Sequence, residues 1–175
     1  GLSNEESIIG DILDSESLNK AIYKARPDIV FHLAAQALVR ESYINPKKTY
    51  ETNVTGTLNL LEACRQCDSI KAIICITTDK VYENKEWAYP YRETDELGGY
   101  DLYSSSKACC ELLISSYRNS FFNISENNNQ SILLASVRAG NVIGGGDWAK
   151  DRLIPDLIRG FSRGEVVHVR NPLST

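Results

Sequence analysis

Three near-continuous apolar runs of strand length punctuate the chain: DIVFHLAA at 28–35, IKAIICITT at 70–78 and SILLASVRA at 131–139. None alternates strictly between apolar and polar residues. Unbroken runs of this length predict strands covered on both faces, as in a parallel sheet. Around them the apolar positions recur at helical spacing. That periodicity predicts helices over Ser17 to Arg26, Pro46 to Gln66, Asp101 to Phe122 and about Arg152 to Arg163, and the β-branched EVVHVR (165–170) predicts a last strand. Pro46, following Asn45, suits the opening turn of a helix, and Asp101 or Ser104 suits the cap of the next. Strands alternating with helices define an α/β fold. Right-handed crossovers make it a doubly wound parallel sheet, Rossmann-like, with helices on both faces. SENNNQ at 125–130 reads as a polar surface loop.

Composition narrows the classes. With 175 residues, 42% of them hydrophobic, the chain can build one globular core, and no apolar run reaches the roughly 18 residues of a membrane span. A net charge of -4 and the absence of a basic run speak against a nucleic-acid partner or an anionic membrane surface. Five cysteines, an odd number, make a poor disulfide framework and favour a reducing, cytoplasmic setting. Cys64 and Cys67 form a C-x-x-C, but it falls late in a helical pattern with no second pair or histidine nearby, so it reads as structural, and no metal site is expected. The sequons at Asn53 and Asn123 read as unmodified. The chain opens on Gly1, lacks methionine and ends just after EVVHVR, which reads as a piece of a longer protein. Residues 1–175 are then expected to be a partial dinucleotide-binding Rossmann-like domain, with a substrate-binding region starting at about 141–175. The glycine-rich loop that would open such a domain, and a substrate cap, would lie outside it.

In parallel α/β sheets, ligands bind beyond the carboxyl ends of the strands. This points to Ala34, Ala35 and Gln36, to Thr77 through Lys80, and to Arg138 through Asn141. Tyr103 and Lys107, in YSSSK, lie four residues apart and so on one helix face. The spacing alone says little, since nine Tyr and nine Lys give about half of one such pair by chance. Tyr43 and Lys47 share it, and Pro46 between them marks that pair as coincidence. A free phenol ionises near pH 10, and an ammonium held close makes it a usable base at neutral pH. Tyr103 could then take the proton of a substrate alcohol as hydride leaves the carbon, with the Thr78 hydroxyl holding the same oxygen. The residues alone fit equally a surface Tyr and Lys beside a strand-end Thr.

The longer motifs carry more. Thr78, Tyr103 and Lys107 resemble the Ser/Thr, Tyr and Lys set of the extended short-chain dehydrogenase/reductase family. HLAAQALVRESYINPKKTYETNVTGTLNLLEA, TTDKVYENKEWAYPYRETDELGGYDLYSSSKACCELL and SVRAGNVIGGGDWAKDRLIPDLIRG are similar to its nucleotide-sugar 4,6-dehydratase branch, above all to the enzymes acting on CDP-glucose. The likeness runs from about Gly10 to Pro172.

The resemblance implies a lyase with bound NAD that turns a nucleotide-diphosphate sugar, CDP-glucose, into its 4-keto-6-deoxy derivative, as in deoxysugar and lipopolysaccharide synthesis. Asp11 and Ile12 would contact the adenine of the cofactor; a helix-capping Asp in a loop is the plain alternative. Ala34, Ala35 and Gln36 would run beneath the dinucleotide, and His32 before them reads as a satisfied core residue. Asn53 would order active-site backbone and water, or be an ordinary polar helix residue. Tyr103 and Lys107 would also touch the cofactor. Asp79 and Lys80, the pair typical of the CDP-glucose enzymes, would be acid and base for loss of the C6 hydroxyl. That asks for a partly buried carboxylic acid and a desolvated amine; a surface ion pair is the alternative, perhaps between Lys80 and Glu83. Asn141 would grip the nucleotide sugar near its phosphates, and Arg152 and Arg170 are candidates for diphosphate contact or for surface salt bridges. Gly144 to Gly146 lack the Lys-Ser/Thr of a phosphate loop and read as a flexible turn. A nucleotide-sugar 4-epimerase, which needs the Tyr but not the acid and base, and a non-catalytic dinucleotide-binding module are the rival readings. Relatives pair through their two long helices, here about 46–66 and 101–122, so a homodimer is expected.

Overall fold

The computed structural model describes residues 7–122 and 132–169. It divides into two compact units, Gly1–Gly140 and Asn141–Thr175.

The first unit holds a three-stranded parallel sheet in the order β1-β2-β3, formed by β1 (Ile29–His32), β2 (Ala72–Thr78) and β3 (Leu133–Ala139). Its register sets Phe31 against Ile74 and Ile74 against Ala135. Helix α1 (Ser15–Ala25) starts two residues before the predicted Ser17. Asp14 caps it, accepting from the Ser17 amide at 3.0 Å and the Ser17 hydroxyl at 2.7 Å.

The predicted helix over 46–66 is α3 (Pro46–Tyr50), a π-helical turn (Glu51–Thr55) and α4 (Gly56–Arg65) run together. Pro46 opens it, where its missing N–H leaves nothing unpaired. A six-residue helix, α2 (Val39–Ile44), precedes it unforeseen. Tyr43 and Lys47 therefore sit on separate helices. Gly56 lets the column approach the 10–14 turn, since a Cβ there would lie 2.6 Å from the Ile12 side chain. Helix α5 (Leu102–Ser120) is capped by Asp101, which accepts from the Ser104 amide and hydroxyl at 3.0 and 2.6 Å.

One buried cluster joins Ile22 of α1, Leu61 and Cys64 of α4, and Cys110 and Ile114 of α5 to Ile73, Cys75 and Leu134 of the sheet. These helices thus share one face. The reason is topological: strand order advances in a single direction, and successive right-handed crossovers then land on the same side. Among the described residues helices therefore cover one face of the sheet, where helices on both faces were expected. On its other face the alternate residues Ile29, Phe31, Leu133 and Val137 are exposed. Five free cysteines, four of them buried, act as small apolar residues; burial pushes the Cys64 and Cys75 thiols up to about 12. Among the described residues no helix is long and apolar enough to cross a membrane.

In the second unit α6 (Leu153–Arg163) closes on Gly164 in the left-handed conformation. Glu165–Val169 do not form the expected strand. A β-branched run becomes a strand only where it finds a ladder partner, and no described residue pairs with it.

Candidate functional site

The three strand ends are tied together by buried polar side chains. Beyond β1, the Gln36 amide donates to Asn53 Oδ1 at 2.8 Å, and Asn53 Nδ2 donates back to the Gln36 carbonyl at 3.1 Å. The same Nδ2 donates to Ser106 Oγ of α5 at 2.8 Å. Asn53 is 1% exposed, which rules its sequon out as a modification site. The Gln36 side chain folds into the loop, donating to the Leu38 carbonyl at 3.1 Å and to Thr49 at 2.9 Å. Ala34 is exposed and Ala35 half-buried, so the strand end offers backbone with nothing larger than a methyl group upon it.

Beyond β2 the chain turns at once into a 3-10 turn, Asp79–Val81. Thr78, itself buried, caps it by accepting from the Lys80 amide at 3.4 Å and donates to Asp79 Oδ1 at 3.0 Å. Lys80 Nζ lies 3.4 Å from the same oxygen, with 43% of the Lys80 side chain and 51% of the Asp79 side chain exposed. The burial expected of this acid and base is absent. They form an ion pair with each other at the surface, rather than Lys80 with Glu83, because the tight turn places both at its outer edge.

Helix α5 overlooks this turn. The three serines between Tyr103 and Lys107 are each engaged: Ser104 with the cap, Ser105 with the Tyr50 hydroxyl at 2.7 Å, and Ser106 with Asn53. Tyr103 is half-buried in the first turn. Lys107, one turn on, is buried and donates to the Ile76 carbonyl of β2 at 3.1 Å. Burial holds its ammonium below the ordinary lysine range. His32 is likewise buried, 2.8 Å from the Thr57 hydroxyl, and its imidazole is pushed down to about 4, chiefly by burial and secondarily by the charge of Lys107. The Thr57 hydroxyl donates to the Asn53 carbonyl at 2.6 Å, an oxygen that also accepts from the Cys110 thiol at 3.1 Å. A side-chain partner there suits the π turn, whose altered spacing breaks the regular helix ladder.

Asp11 accepts from the Leu13 amide at 2.9 Å in an exposed turn; the helix cap beside it is Asp14. Asn141 and Arg152 belong to the second unit. Asn141 is exposed, and Arg152 lies 3.5 Å from Asp147. Arg170 lies outside the described residues. The structure thus joins Thr78, Asp79 and Lys80 in one turn, and ties Lys107 to their strand and Asn53 to Gln36. Sequence reasoning did not single out Ser106, Thr57 or Glu111. Glu111 had one signal, its place a further turn along the face that carries Tyr103 and Lys107.

A parallel sheet with helices packed on one face, and a buried Thr and a buried Lys at the end of its central strand, defines the class: a Rossmann-like α/β chain. The model of the family described as GDP-mannose 4,6 dehydratase matches residues 3–132, and the chain belongs to that family. It is 57% identical over 97% of its length to CDP-glucose 4,6-dehydratase of Salmonella typhimurium, of which it covers 47%. Among solved structures, the UDP-N-acetylglucosamine 4-epimerase of Methanobrevibacter ruminantium M1, in complex with UDP-N-acetylmuramic acid, superposes with a TM-score of 0.75 at 29% identity. That match covers 90% of this chain and 47% of the epimerase. The UDP-glucose 4-epimerase of Thermus thermophilus, in complex with NAD, matches 64% of the chain and 36% of its own at 34% identity and a TM-score of 0.59. The chain spans about half the length of the CDP-glucose relative it matches.

Proposed function

We propose that the chain is part of an NAD-dependent nucleotide-sugar 4,6-dehydratase acting on CDP-glucose. The observation that carries this is the Thr78–Asp79–Lys80 turn at the end of β2, in a chain 57% identical to a CDP-glucose 4,6-dehydratase. An epimerase needs a hydroxyl and a phenol there, whereas a dehydratase also needs an acid and a base beside them. The residues fit the cofactor: Ala34 and Ala35 leave the end of β1 open to close approach, Asp11 is exposed at its turn, and buried Lys107 stands at the end of β2. NAD bound there would supply the hydride acceptor for C4 and the hydride donor for C6.

The chain's own residues handle the protons. Tyr103, with the Lys107 ammonium one turn away to stabilise its phenolate, takes the proton from the C4 hydroxyl while Thr78 holds that oxygen. The C4 ketone makes the C5 hydrogen acidic. Lys80 takes that proton and Asp79 protonates the departing C6 hydroxyl, so that water leaves across C5–C6, and Lys80 gives its proton back to C5 as C6 receives the hydride. Their exposure gives the substrate a part to play, since a sugar seated on the turn would displace water from both. Asn53 holds the Gln36 backbone, and Asn141 and Arg152, in the segment we assign to the start of a substrate-binding region, would contact the nucleotide diphosphate with Arg170. We place the enzyme in the cytoplasm, as a dimer through the helices at 46–65 and 102–120, serving deoxysugar and lipopolysaccharide synthesis.

The test uses the full-length protein and CDP-glucose deuterated at C4. A dehydratase delivers the deuterium to C6 of a 4-keto-6-deoxy product. An epimerase leaves it at C4, and finding it there overturns the reading.

A further inference from the structure

Glu111 is almost wholly buried, with 5% of its side chain exposed, yet it is absent from the chemistry above. It lies one turn beyond Lys107, on the α5 face that meets the sheet. Its carboxylate accepts from Thr77 Oγ1 at 2.5 Å, from Ser136 Oγ at 2.9 Å and from Arg138 Nη2 at 3.0 Å. Burial works against its charge, but the donors, Arg138 foremost, hold it below the ordinary carboxylate range. Arg138 reaches the other way as well. Its Nη1 donates to the Glu93 carbonyl at 3.0 Å, and its guanidinium lies 4.9 Å from the centre of the Tyr82 ring, which in turn stacks on Tyr91 at 4.9 Å.

The partners bracket the reactive turn. Thr77 comes immediately before Thr78, and Tyr82 immediately after the Asp79–Val81 turn. The segment from Tyr82 to Leu97 closes on itself through the Tyr82–Leu97 bridge and leads directly into α5, where Tyr103 sits. One buried ion pair thereby grips both ends of the Thr78–Val81 segment and anchors them to the helix of Tyr103 and Lys107. Buried ion pairs contribute little net stability and are better suited to fixing geometry.

We infer that Glu111 and Arg138 are positioning residues that fix Asp79 and Lys80 relative to Tyr103. The inference rests on the dehydratase reading. It predicts that loosening the pair harms the elimination, which depends on positions 79 and 80 beyond the sheet, more than the first hydride transfer, which depends on Tyr103 and on Thr78, itself held in the β2–β3 ladder.

The experiment compares the full-length protein with Arg138→Lys and Arg138→Gln. Arg138→Lys keeps a cation for Glu111 and gives up the second hydrogen bond and the planar stack. Thermal melting establishes that each variant is folded, and single-turnover kinetics separate appearance of reduced nicotinamide, read by its near-ultraviolet absorbance, from formation of the 6-deoxy product. In Arg138→Gln the elimination should slow by roughly 10- to 100-fold, as about 1 Å of misplacement does, with the first hydride step and KM within about threefold of wild type. Reduced cofactor should then accumulate, amide exchange over 79–98 should quicken, and Arg138→Lys should fall between. Equal slowing of both steps, or no slowing in a variant that melts like wild type, overturns the inference alone. A wild-type protein that reduces no cofactor on CDP-glucose overturns the dehydratase reading and the inference with it.

Discussion

Lys107 Nζ donates to the carbonyl of Ile76 at 3.1 Å, two residues before Thr78 on the same strand. The contact anchors the cation of α5 to the very end of β2, with the phenol of Tyr103 one helical turn away. A buried ammonium with one carbonyl partner is an expensive way to hold a helix to a sheet, and its use here points to chemistry.

Activity and stability should therefore separate at this position. Lys107→Met removes the cation and keeps an unbranched stem of similar length. It should lower kcat by roughly 100- to 10,000-fold at neutral pH, the scale of a lost general base. Part of the rate should return as the pH approaches the range of an unassisted phenol, about 10. Stability should change by no more than about 1–2 kcal/mol, because the unpaired Ile76 carbonyl is offset by relief of the buried charge. A pH–rate profile and a urea titration of the same variant make the comparison. A variant that unfolds while keeping its rate would count against the catalytic role.

Asn53 predicts the opposite pattern. Its amide satisfies the Gln36 amide, the Gln36 carbonyl and the Ser106 hydroxyl at once, in a site closed to water. Asn53→Ala strands those groups and should cost about 2–4 kcal/mol by urea denaturation. Asn53→Asp keeps the acceptor for the Gln36 amide but sets a carboxylate against the Gln36 carbonyl, so it should be no less destabilising. A loss under about 0.5 kcal/mol in both would mean that the network is not what holds the β1 loop to α5.

How far the sequence revealed these arrangements depends on whether a signal was local. The three apolar runs, the opening proline of α3 and the aspartate cap of α5 are local, and they were legible. The six-residue α2 was not, being too short to display a helical period, and nothing in ETNVT announces a π turn. EVVHVR misled because β-branched composition records fitness for a ladder, not the presence of a partner. In the site, strand ends and helical spacing put Thr78 at the end of β2 and Tyr103 and Lys107 one turn apart on a helix, but left a surface reading of them equally open. Glu111 could not be explained that way. Its partners Thr77, Ser136 and Arg138 stand 34, 25 and 27 residues away, and only folding brings them together. The exposure of Asp79 and Lys80 stood only as the alternative, with Glu83 as the partner of Lys80, since it depends on where a tight turn points its side chains.

Gly99 sets the entry into α5. Its φ of +112° lies outside the range L-residues favour, and a Cβ there would meet the Ser105 amide and lie 2.6 Å from the Ser104 carbonyl carbon. These are backbone atoms of the first helical turn, so relief requires moving the turn that carries Tyr103. Gly99→Ala should cost about 2 kcal/mol or more and reduce kcat along with stability. Melting and steady-state assays on the same preparation test this. An unaltered melting temperature would show that the turn can rearrange freely.

His32 gives the fold a pH dependence whose sign can be worked out. Burial, aided by the charge of Lys107, pushes its imidazole down to about 4 in the folded chain, against about 6.5 when unfolded. Between those values the unfolded chain binds more protons, so stability is undiminished above about pH 6.5 and falls as the pH drops towards 4. At about 1.4 kcal/mol per pH unit, the loss should reach roughly 2 kcal/mol at pH 5 and about 3 kcal/mol at pH 4. His32→Gln cannot titrate. Whatever that change does to stability at pH 7, the wild type should lose about 2 kcal/mol more than the variant between pH 7 and pH 5, read from urea denaturation at both pH values. Parallel losses in both would mean that His32 takes up its proton in the folded chain as readily as in the unfolded one, and that its burial beside Lys107 does not govern the titration.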